Sequence, residues 1–134
     1  MSEASNRGES GSAAGPLIYV VDDQEMILMV VEELLRMQHF RTHCFQNPEE
    51  ALAAFLAADP KPDLLLTDFV MEEMNGLDRI EQCKQAWPTL KTILYSGSVG
   101  PEIMEDARFK PDQFLGKPFK PPALIEMVRS VLAA

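Results

Sequence analysis

Asp63-Leu64-Leu65-Leu66-Thr67-Asp68-Phe69-Val70-Met71-Glu72-Glu73-Met74-Asn75-Gly76 is the stretch that decides the fold. Nothing polar interrupts Leu64 to Leu66, so these residues read as a strand buried on both faces. Asp68 then stands where the strand leaves the core, and Asn75-Gly76 turns the chain into the next helix. In open α/β sheets the ligand crevice lies beyond the carboxyl ends of the strands. A carboxylate at that point is a candidate nucleophile.

The flanking sequence repeats the pattern. Leu17 to Val21 is a strand closed by Asp22-Asp23, and Gln24 to Gln38 is a helix with Ile27, Val31, Leu34 and Leu35 as its buried stripe. Leu28, Met26 and Met29 add apolar surface beside it. Arg41 to Phe45 is a short strand. Asn47-Pro48-Glu49-Glu50 opens a second helix with a capping side chain, a proline in the first turn and two carboxylates at the positive end of the dipole. Leu52, Phe55 and Leu56 are its expected buried face. Gly76 to Trp87 is a third helix, buried through Leu77, Ile80 and Cys83.

Lys91 to Tyr95 is a fourth strand ending at Ser96-Gly97-Ser98. Pro101 to Ala107 is a poor helix with irregular apolar spacing. Gln113 to Gly116 is a fifth strand running into Lys117-Pro118. Pro121 to Leu132 closes the chain as a helix on Leu124, Met127, Val128 and Val131. Five βα units predict an α/β fold with a flavodoxin-like, doubly wound parallel sheet of strand order 2-1-3-4-5, helices on both faces.

A chain of 134 residues, 46% hydrophobic, suits one domain with one core. Residues 1–15 are rich in Ser, Gly, Ala and Glu without apolar periodicity and predict a disordered tail, leaving 16–134 as the domain. The net charge is -9, and no run of Lys or Arg marks a nucleic-acid footprint. The apolar run Ala51 to Ala58 is too short to span a bilayer, and no signal-peptide pattern precedes it. Cys44 and Cys83 make no metal or redox motif and read as packed thiols in a reducing cytoplasm.

The ends of the strands carry Asp22 and Asp23, Asp68, Ser96 and Lys117, and a parallel sheet brings these ends to one edge. Carboxylates gathered there repel one another, by about 4 kcal/mol per pair at ~4 Å and an effective dielectric near 20. Oxygen ligands in such a cluster suit Mg²⁺. Lys117 adds a cation that a metal site alone would not need. Both together make sense if a dianionic phosphoryl group arrives, with Ser96 as a hydrogen-bond donor to it. Taken singly, each has a plainer reading. Asp22-Asp23 also suits the start of a helix, Ser96-Gly97 an ordinary turn, and Lys117 a surface charge.

In order and spacing, Val20-Val21-Asp22-Asp23, Thr67-Asp68, Ser96-Gly97 and Lys117-Pro118-Phe119 resemble the response-regulator receiver domain, the phosphoacceptor of two-component signalling. The resemblance covers Leu17 to about Leu132. It implies that Asp68 accepts a phosphoryl group from a histidine kinase or histidine phosphotransferase. It implies Mg²⁺ bound directly by Asp23, by Asp22 through water or from behind the direct ligands, by Asp68 and by the backbone carbonyl of Val70. Ser96 and Lys117 hold the phosphoryl oxygens, Phe114 is the aromatic that turns inward with Ser96, and the Lys117-Pro118 peptide is cis. Met26, Leu28 and Met29 form a candidate docking lip for the phosphodonor, with packing against the last helix as the other reading.

Glu72 stands where the family usually has proline, Val70 offers no polar side chain to an attacking water, and Lys120 replaces a good helix cap. The domain is expected to act as a switch, cytoplasmic and monomeric or weakly dimeric, that catalyses only its own phosphorylation and dephosphorylation. It would have an unidentified protein target and no contact with membrane or nucleic acid, and it either acts alone through binding or is a piece of a larger chain. The alternatives are a receiver-fold interaction module that is never phosphorylated and a Mg²⁺-dependent phosphatase. Val70 occupies the place where the phosphatase would want a second carboxylate.

Overall fold

The computed structural model describes residues 15–69, 76–97, 100–105 and 110–134. The tail expected over residues 1–15 falls, but for Gly15, outside the described residues, as do Val70, Glu72 and Asn75. Five strands, β1 (Leu17–Val21), β2 (Arg41–Phe45), β3 (Leu64–Asp68), β4 (Lys91–Ser96) and β5 (Gln113–Gly116), form one parallel sheet in the order β2-β1-β3-β4-β5. The helices are α1 (Glu25–Met37), α2 (Pro48–Ala57), α3 (Gly76–Ala86) and α4 (Pro121–Ala133). The crossover from β4 to β5 carries a 3₁₀ turn over Pro101–Met104 among the described residues, so the sheet has four helices rather than the five expected. The proline at its start and the lack of a regular apolar stripe give an α-helix nothing to bury there.

β3 is buried along its whole length, as its unbroken apolar run requires. Its two faces feed two cores. Leu64 and Leu66 join Ile18, Val20, Ile93 and Tyr95 under α1 and α4. Leu65 joins Val21, Leu94, Phe55, Ile80 and Cys83 under α2 and α3. At the amino edge of the sheet, Leu17 and Asp63 exchange two hydrogen bonds of 2.8 Å. The Asp112 carboxylate accepts from the Thr92 amide there at 2.7 Å.

α2 starts as expected, with the Asn47 Oδ1 accepting from the amides of Glu49 and Glu50 at 2.8 and 3.1 Å. Its buried face differs. Ala51 and Phe55 are buried, whereas Leu56 is exposed because it lies beside Phe55 on the outer flank. α1 buries Leu28, Val31 and Leu35, at i, i+3 and i+7, with Ile27 and Leu34 half-buried at its flank. Leu28 is therefore the centre of the stripe and not part of a lip. α1 ends at Gln38, and His39 adopts φ 69°, the left-handed turn that usually falls to glycine. Both thiols are free; burial pushes Cys83 up to about 12 and Cys44 up to about 11, so neither is a ready nucleophile. Among the described residues no helix is long and apolar enough to cross a membrane.

Candidate functional site: an acidic cluster and a lysine at the carboxyl edge

Register builds the site. Val21 pairs with Thr67, so Asp22 leaves β1 level with Asp68 at the end of β3. Asp68 pairs with Tyr95 on β4, and Ser96 pairs with Gly116 on β5, one residue before Lys117. The carboxyl edge thus collects three acids and an ammonium from the ends of three strands, β1, β3 and β5. A ligand oxygen from each of Asp22, Asp23 and Asp68 lies within 4.8 Å of the others. Asp22 and Asp68 are buried and Asp23 is exposed, which leaves one open side.

The bonds inside the cluster are specific. Asp22 Oδ1 accepts from the Gln24 amide at 2.8 Å, which turns the chain toward α1 without capping it, since the helix is entered through Gln24 and no side chain caps it. Asp22 Oδ2 accepts from the Tyr95 hydroxyl at 2.7 Å and from Lys117 Nζ at 3.2 Å. Lys117 Nζ also lies 3.4 Å from Asp68 Oδ2 and 4.6 Å from the centre of the Tyr95 ring. The lysine therefore points inward and bridges two carboxylates. Its peptide to Pro118 is cis, and its amide donates to the Ser96 carbonyl at 2.8 Å. A methyl group added at Gly97 would come within 3.3 Å of Lys117 Cβ, so a small residue there leaves the lysine stem its place.

Three carboxylates against one ammonium leave a formal excess of two negative charges (three minus one). The donors are all hard oxygens, the gap between them is short, and one side is open. These residues fit a divalent cation such as Mg²⁺. Ser96 is buried at the end of β4, on the α2/α3 face with Leu94. Phe114, opposite Leu94 in the register, is half-buried and packs on that same face. The carbonyl of Val70 lies outside the described residues. Met26 and Met29 are 78% and 62% exposed on α1, whereas Leu28, expected beside them, is 6% exposed.

Two residues of the site escape a reading of the sequence. Tyr95 looks there like one more strand residue, yet its hydroxyl reaches the cluster; a tyrosine due to be buried needs a partner, and that is the available signal. Arg79 is fully buried on α3 beside Ile80 and donates from a guanidinium nitrogen to the Thr67 hydroxyl, one residue before Asp68. Burial lowers its pKa, and Cys83, Asp68 and Asp78 partly offset this. A charge on an otherwise apolar helix stripe is the signal there.

A doubly wound parallel sheet with carboxylates and a lysine gathered at its carboxyl edge defines the class of open α/β proteins whose site lies beyond the strand ends. Within that class the chain belongs to the response regulator receiver domain family, whose model matches residues 18–129. It is 30% identical over 115 residues to the transcriptional regulatory protein CpxR of Klebsiella pneumoniae, covering 86% of this chain and 48% of that protein. It is 28% identical over 120 residues to the chemotaxis protein CheY of Thermotoga maritima, covering 87% of this chain and 98% of that one. The chain thus spans about half the length of CpxR and nearly all of CheY. A CheY-like receiver domain from Methanospirillum hungatei superposes with a TM-score of 0.82 at 23% identity, over 89% of this chain and 94% of its own. A DrrB receiver domain does so with a TM-score of 0.77 at 25% identity, over 90% and 99%.

Proposed function

We propose that this receiver domain is a phosphorylation-controlled switch in which Asp68 accepts a phosphoryl group from a histidine kinase or histidine phosphotransferase. The observation that carries the reading is the position of Lys117 Nζ, 3.4 Å from Asp68 Oδ2 and shared with Asp22. An oxygen of Asp68 attacks the phosphorus of a phosphohistidine. The new O–P bond forms as the donor's N–P bond breaks, and the imidazole leaves as a neutral ring after taking a proton from solvent. Lys117 meets the incoming charge on one side. Ser96 donates a hydrogen bond to a phosphoryl oxygen, and Phe114 follows Ser96 inward. Asp23, Asp22 and Asp68, with the Val70 carbonyl that the family resemblance implies, would hold Mg²⁺, which would neutralise the phosphoryl oxygens when bound. That one relative, the DrrB receiver domain, is known in a BeF3-activated form supports this reading.

The same role extends to the rest of the chain. Residues 16–134 are the switch. Exposed Met26 and Met29 meet the donor beside the acceptor edge. The domain turns over no separate substrate, works in the cytoplasm as a monomer or weak dimer, and hands its state to a protein target. Incubation with Mg²⁺ and a small acyl-phosphate donor, read by intact mass, tests it. One phosphoryl mass is gained, and the gain is lost in Asp68→Asn and on chelation of the metal. No gain in the unaltered chain would favour the inert interaction module instead.

A further inference from the structure

Tyr95 is 1% exposed, wedged between the acidic cluster and Phe119, whose ring it meets edge-on at 6.2 Å. Its hydroxyl donates to Asp22 Oδ2, the oxygen that also accepts from Lys117. Its ring face lies under the same ammonium. One side chain therefore touches both members of the Asp22–Lys117 pair. Burial raises the phenol well above its ordinary value, and Asp22 adds to the rise, so the group remains a donor at neutral pH.

Asp22 has no exposed surface. Its donors are the Gln24 amide on Oδ1, and Tyr95 and Lys117 on Oδ2. If Lys117 turns to a phosphoryl group on Asp68, Asp22 gives up its ammonium. A buried carboxylate that loses an ammonium stays in place only where its remaining donors, beside the metal ion it would share, fix its orientation. The Tyr95 hydroxyl is a donor that can stay behind.

We propose that Tyr95 is a positioning residue for phosphorylation: its hydroxyl keeps Asp22 oriented and hydrogen-bonded while Lys117 moves from Asp22 to the phosphoryl oxygens on Asp68. The inference rests on the phosphoacceptor reading and adds to it the group that lets the lysine move. The plain alternative is that Asp22 merely satisfies a buried phenol.

The test compares the unaltered chain, Tyr95→Phe, Asp22→Ala and the double variant, phosphorylated by a small acyl-phosphate donor with Mg²⁺. Tyr95→Phe slows phosphorylation by about tenfold, the loss expected for one hydrogen bond to a charged group. In the Asp22→Ala background the same change alters the rate by less than about twofold, because the acceptor is gone. Equal slowing in both backgrounds assigns Tyr95 to packing and overturns the inference, as does an unaffected rate in Tyr95→Phe. A second readout needs no variant. With ¹³Cζ-labelled tyrosine, the Tyr95 hydroxyl proton exchanges slowly with solvent before and after phosphorylation; fast exchange after phosphorylation overturns the inference. Failure of the unaltered chain to take up phosphate at all overturns the proposed function and this inference with it, and so is distinct from either result above.

Discussion

Arg79 shows how the residue scale differs from the pattern scale. Its guanidinium is buried and bonded to Thr67, and α3 carries it beside Ile80, which belongs to an apolar cluster with Phe55, Leu65, Cys83 and Leu94. A guanidinium stays charged even when buried, so it must keep its partners. Its placement beside the strand that ends in Asp68 sets a second cation below the acidic edge, on the sheet face opposite Asp22. Arg79→Ala removes the stem's packing and the guanidinium's bond to the Thr67 hydroxyl, and should cost about 3 kcal/mol. Arg79→Met keeps the stem and should recover at least half of that. Urea unfolding of the two variants checks this; an Arg79→Ala midpoint equal to that of the unaltered chain would contradict it. Neither Arg79 nor Tyr95 was legible beforehand, because each draws its meaning from a partner far away in sequence. Asp22, Asp68 and Lys117 were legible because a chemistry, excess acid plus one ammonium, requires them jointly.

At the scale of elements, the strands were the most readable parts. β3 has no alternation to misread, and the Asn47-Pro48-Glu49-Glu50 start of α2 states its own cap. Helix faces were less readable. α1 carries apolar side chains around most of its circumference, so several stripes fit the sequence, and packing on the sheet and α4 selects the one centred on Leu28, Val31 and Leu35. Two substitutions on neighbouring positions separate the faces. Leu28→Ala should destabilise by about 3 kcal/mol, whereas Met29→Ala should stay within about 0.5 kcal/mol of the parent. Denaturant midpoints decide it, and similar losses at both positions would contradict the assigned face. The β4–β5 crossover was the hardest element to read, since Pro101 and an irregular pattern there support only the 3₁₀ turn.

For the whole molecule, strand order does the decisive work. With β1, β3 and β4 adjacent, their carboxyl ends place Asp22, Asp68 and Tyr95 side by side, and β5 delivers Lys117 to the same rim. That gathering was legible in the sequence because right-handed parallel crossovers leave few other arrangements. What the gathering does to a phosphoryl donor is the central claim, and chemistry at Asp68 tests it most directly. The chain is treated with Mg²⁺ and an acyl-phosphate donor, reduced with borohydride, and digested for peptide mass mapping. The account predicts that the peptide containing Asp68 alone carries the mass change of an acyl phosphate reduced to the alcohol. A reduced residue elsewhere, or an unchanged Asp68 peptide from a chain that gained phosphate, would contradict it.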